Sequence, residues 1–125
     1  MATVKYNLGT VGGMAVTELF SGSVGSISAV NNIKITLNDD LTNYKFLVFD
    51  LNCVRNASSN RYYSRIVSVQ QFINLINSTD TDTLVSLCWG YSNCDDYFEF
   101  NKVSTTRVLN TSCRYSICTR ILGIN

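Results

Sequence analysis

An apolar run of four, Phe46-Leu47-Val48-Phe49, constrains this chain more than any other feature. It follows a polar turn, Asn38-Asp39-Asp40, and lies within an extended stretch, 45–51. Successive side chains of a strand point to opposite faces, so Phe46 and Val48 share one face, and Leu47 and Phe49 share the other. Neither face is polar. One pair fills a core; the other must lie under a loop or against another subunit, because soluble monomers rarely leave such a patch in water. All four residues are therefore candidates for an oligomer interface.

The rest of the chain reads as β-structure from residue 17 onward. Glu18-Leu19-Phe20-Ser21-Gly22-Ser23 forms a first strand running into glycine-rich turn chemistry, and Ile33-Lys34-Ile35-Thr36-Leu37 alternates with the period of a half-buried strand. Further strands are expected over 61–67, 83–91, 96–103, 106–109 and 114–123, separated by polar loops at 55–60, 77–82 and 92–96. One segment breaks the pattern. Apolar residues at Val69, Phe72, Ile73 and Ile76 have helical spacing, and Ser68 stands where an N-cap belongs, so a short helix is expected over 69–76. Turns at this spacing between β-branched and aromatic runs fit an antiparallel β-sandwich of the jelly-roll kind.

A chain of 125 residues makes one domain and buries roughly two-thirds of its unfolded surface. Residues 1–16 stand apart, with Gly9, Gly12 and Gly13 among short apolar residues and Lys5 as the one charge. They read as an arm that gains order on a partner, or as a plain tail. Its docking candidates are Val4, Tyr6, Leu8 and Val11. The head domain is then 17–125. Residues 1–16 also lack the continuous apolar core of a signal peptide, so synthesis and folding in a cytoplasm are expected.

The net charge is +1, with Lys and Arg spread singly, so no basic stripe points to nucleic acid or an anionic membrane. No segment approaches the ~20 apolar residues of a membrane span. The cysteines, Cys53, Cys88, Cys94, Cys113 and Cys118, form an odd set without a CxxC pair and read as small buried hydrophobes. A late disulfide involving Cys113 or Cys118, and a Cys-only metal site, are the lesser readings. Three sequons, at Asn56, Asn77 and Asn110, are most simply chance in an Asn/Ser/Thr-rich chain.

Catalytic chemistry is thinly supplied. Without histidine there is no Ser-His-Asp or Cys-His device. Asp39 with Asp40, and Asp95 with Asp96, are adjacent pairs that shape turns more often than they flank a substrate. Asp80 and Asp82 resemble half a calcium site, but read as a solvated loop. No glycine-rich phosphate motif sits between a strand and a helix. No enzyme and no cofactor is expected. What remains is aromatic: Tyr62, Tyr63, Trp89 and Tyr91 lie near loop ends, beside Asn93 and Asp95, and present flat apolar faces with one polar edge, suited to sugars or protein partners. These six are the candidates for contact with a binding partner.

Leu19-Phe20-Ser21-Gly22, Ile35-Thr36-Leu37, Asn43-Tyr44 before Phe46-Leu47-Val48-Phe49, and the ending Ile121-Leu122-Gly123-Ile124 resemble, in that order, a pattern of bacteriophage fibre proteins. The resemblance covers the two ends of 17–125, while the middle, 52–112, carries no matching motif. It implies a C-terminal head domain of a tail or head fibre: a β-sandwich that trimerises, resides in the virion and contacts the host surface, its upstream segment attaching it to other virion proteins. Only sixteen residues precede the head here, which suits a small decoration or appendage docking directly on another virion protein. The competing reading is a carbohydrate-binding, lectin-like module; a glycan hydrolase is third.

Overall fold

The computed structural model describes residues 6–11, 13–56, 59–80, 82–87, 97–102 and 105–125. They form an all-β sandwich of two antiparallel sheets. The first contains β1 (Tyr6–Val11), β2 (Met14–Ser26), β4 (Phe46–Asn56), β5 (Ser59–Ser68) and β9 (Ser116–Ile124), in the order β1-β2-β9-β4-β5. The second contains β3 (Val30–Thr36), β6 (Val85–Ser86), β7 (Tyr97–Asn101) and β8 (Val108–Arg114), in the order β3-β8-β7-β6. The chain changes sheets between β2 and β3, between β3 and β4, between β5 and β6 and between β8 and β9, and the first and last of these crossings belong together. Because β2 pairs with β9 and β3 with β8, the two crossings run side by side, as in a jelly roll. Two local features permit this corner. Tyr115 turns the chain at φ 55° and its N–H donates to the Ile27 carbonyl. Gly25, at φ 146°, lies so close to the Ser116 carbonyl that any side chain would collide with it.

The expected helix forms as α1 (Val69–Asn77), and the Ser68 hydroxyl caps it by accepting from the Gln70 N–H. Its apolar side drops Phe72 and Leu75 into one end of the core. There Phe72 meets Phe49 and Phe100 with ring centroids 5.9 and 5.2 Å away, and Phe100 also contacts Phe98 at 5.6 Å. Leu19, Ile35, Leu37, Leu47, Leu51 and Ile121 complete the buried layer. The polar turn before β4 is tied down from three directions. Asp39 accepts from the Asn43 amide and the Tyr44 hydroxyl, Thr106 donates to Asp40, and Arg107 donates to the Asn38 carbonyl. The adjacent acids thus shape the backbone. Tyr44, held by Asp39, lays its ring on Gly123, where an added Cβ would stand 2.5 Å from the ring.

Several boundaries differ from the sequence reading. The described part of the N-terminal arm is an edge strand: β1 pairs with β2 through a turn at Gly13 (φ 82°), and β2 already begins at Met14. Gly13, which read as linker composition, sits in a hairpin turn instead. Strands β4 and β5 extend into the loop expected at 55–60, where Asn56 pairs with Ser59. Strand β8 continues through Asn110, Thr111 and Ser112, which are buried; Asn110 donates to Asn32, and Ser112 accepts from Asn101. Burial removes the Asn110 sequon from the surface. Cys53, Cys113 and Cys118 are buried, and Cys113 and Cys118 carry free thiols, so neither forms the disulfide considered for it. Cys88 and Cys94 lie outside the described residues. No helix among the described residues is long and apolar enough to cross a membrane.

Candidate functional site

The two sheets differ on their outer faces, and that difference defines the candidate site. On the second sheet the positions facing away from the core are polar: Lys34, Asn110 and Asn101 form one cross-strand row, and Ser112, Glu99 and Ser86 the next, with Asn110 and Ser112 buried. On the first sheet the outward rows are Ser68, Phe46, Ile124 and Val16, then Ile66, Val48, Leu122 and Glu18. Five neighbouring side chains here, Phe46, Val48, Ile66, Leu122 and Ile124, are apolar on the side away from the core. Phe46 is 41% and Ile66 69% exposed, while Val48, Leu122 and Ile124 are half-buried.

A polar row closes the patch. Ser64, Asp50 and Arg120 follow in the same register. Ser64 donates to Asp50 at 2.7 Å, and Arg120 Nε lies 3.5 Å from Glu18. An apolar centre with a charged and hydroxylated margin is the anatomy of a protein–protein interface.

The four-residue run is split by the register. Leu47 pairs with Val67 and Gly123 on the inner face, and Phe49 with Ile121; both are fully buried. As interface candidates Leu47 and Phe49 are therefore replaced by Ile66, Leu122 and Ile124, which share the outer face with Phe46 and Val48. Sequence reading missed these three because they come from separate strands. The signal was present in Ile124, at the chain's apolar end, but only the pairing places it beside Phe46.

Of the aromatic candidates, Tyr62 lies on the same outer face, opposite Asn52, and is 75% exposed. Tyr63, the next residue, turns inward against the core and is half-buried. Trp89, Tyr91, Asn93 and Asp95 lie outside the described residues, as does Val4. Tyr6, Leu8 and Val11 lie on β1, with Tyr6 opposite Glu18 and Val11 opposite Met14. Asp80 accepts from the Asp82 N–H and so shapes its own loop. Among the described residues no group of three metal-ligating side chains occurs. Compared with protein-family models, curated proteins and solved structures, the chain matches none.

Proposed function

We propose that this chain is a bacteriophage virion protein, a head- or tail-fibre or decoration appendage that trimerises and contacts the host surface. The outward apolar patch of β4, β5 and β9 is the observation that carries this reading, because it calls for a covering surface that the described residues do not supply. The occupant we assign is a second copy of the same chain. Its margin offers both charges, with Glu18 and Asp50 near Arg120, so like patches can pair across a symmetry axis. The motifs behind the fibre resemblance support the same reading. Phe20, Ile121 and Phe49 lie on three neighbouring strands in one row, and Phe46 pairs with Ile124. Three of the four scattered sequence patterns thus meet in the sheet that bears the patch, while Ile35-Thr36 ends β3 in the other sheet. Fully burying one such side chain contributes about 1.5–3 kcal/mol before association costs.

The test is the absolute mass of the purified full-length chain by size exclusion with light scattering. A trimer is expected. A monomer at concentrations where fibre heads assemble would refute the assignment of the patch. The second reading, a carbohydrate-binding module outside any virion, is favoured by exposed Tyr62; a monomer with sugar affinity would leave it standing.

A further inference from the structure

Beside the apolar patch, the outer face carries a shallow depression lined by Asp50, Leu51, Tyr62, Tyr63, Ser64 and Thr119. We infer that it is a binding subsite for one uncharged sugar ring, which deepens the attachment reading and rests on it. Three features of the depression lead there.

The first is the ring of Tyr62. It stands on an edge strand, three-quarters exposed, where a side chain of this size gains nothing from the core. An aromatic face exposed beside a polar recess matches the C–H face of a pyranose.

The second is the supply of hydroxyl partners. Ser64 donates to Asp50 Oδ1, which leaves the Ser64 oxygen as an acceptor and most of the carboxylate's four lone-pair sites unused by that bond. Thr119 adds another hydroxyl. It is present because of a bulge in the β4–β9 pairing: Asp50 faces Arg120 and Leu51 faces Cys118, so Thr119 is the extra residue. Its hydroxyl points to the Asp50 carbonyl at 3.4 Å. Bulges commonly re-aim a side chain towards a site in this way.

The third is charge. Among the described residues lining the depression, Asp50 is the one charged residue and there is no Lys or Arg. A carboxylate accepts strongly from sugar hydroxyls and repels an acidic sugar. The subsite therefore selects neutral rings over uronic acids or phosphorylated sugars.

A one-sided recess with a single stacking ring binds weakly, at about the millimolar level. Useful attachment then requires several copies held together, which a trimer supplies.

The probes are methyl hexosides of glucose, galactose and mannose, with methyl glucuronide as the acidic control. They are titrated into full-length, isotope-labelled protein and followed by amide chemical shifts. At least one neutral hexoside should shift Asp50, Ser64 and Thr119 together, with glucuronide about tenfold weaker or silent. Tyr62→Ala should weaken binding about tenfold, and Tyr62→Phe should restore it to within about twofold. Tyr62→Ala should keep the melting temperature and the oligomer mass of the parent chain. No shifts with any neutral hexoside, equal binding of glucuronide, or binding that survives Tyr62→Ala would each overturn the subsite. If the subsite fails while the chain is a trimer, the fibre reading stands without it. A sugar-binding monomer would instead remove the trimer and keep the subsite.

Discussion

Cys118 illustrates what burial does to a single reactive group. Its thiol is enclosed between the sheets and points to the Arg120 carbonyl, 3.6 Å away. Desolvation, with a smaller contribution from the nearby Asp50 charge, pushes it up to about 12 from 9.0. In the unfolded chain the thiol ionises near 9, whereas in the folded chain it stays protonated. Between those values the unfolded state holds fewer protons, so stability falls as pH rises from 9.0 towards about 12. We expect Cys118→Ala to flatten that alkaline decline, measured as denaturant midpoints at a series of pH values. The native thiol should also resist alkylation at pH 8 until the chain is unfolded. The cysteine's burial was legible from its type and the reducing setting inferred for the chain; the identity of its neighbours was not.

Helix α1 shows how far local sequence determines an element. Nine residues are too few for a stable isolated helix, so its existence depends on the cap and on the two anchors, Phe72 and Leu75. Ser68→Ala removes the acceptor for the Gln70 N–H and should cost about 1 kcal/mol. That corresponds to a melting shift of about 4 °C for a domain of this size; Ser68→Asp should recover most of it. Thermal unfolding followed by circular dichroism reads both. The helix was legible because spacing and capping are local signals. Strand β8 was not, since Asn110-Thr111-Ser112 looks like a turn until Asn32 and Asn101 arrive from neighbouring strands to satisfy Asn110 and Ser112. Strand β1 was misread for a related reason: glycines suit a flexible arm and a hairpin equally, and only pairing with β2 distinguishes them.

At the scale of the whole molecule the contrast between the two outer faces yields the sharpest experiment. Leu47 and Val48 are adjacent, similar in chemistry and on opposite sides of one sheet. Leu47→Asp places a carboxylate in the core and should leave the chain unfolded or insoluble, since an unpaired buried charge costs several kcal/mol. Val48→Asp places it on the outer patch, opposite Ile66 and Leu122. It should preserve the circular dichroism spectrum and reduce the oligomer to monomers in light scattering. A folded Val48→Asp protein of unchanged mass would rule the patch out as the subunit contact.

The amino-acid sequence by itself determined the β class, most strand positions, the capped helix, and that Phe46-Leu47-Val48-Phe49 has no polar face. These rest on period, propensity and turn chemistry, which act over a few residues. It left open which pair of that run lies inside. When both faces of a strand are apolar, alternation assigns them equal claims, and only the opposing sheet breaks the tie. Here β7 and α1 supply the aromatic layer that takes Leu47 and Phe49, while β5 and β9 surround Phe46 and Val48 with more apolar surface. The outer patch, the buried amides of β8 and the bulge that presents Thr119 all arise from residues far apart in the chain. The tertiary structure decided them because their energies exist only once the strands are paired.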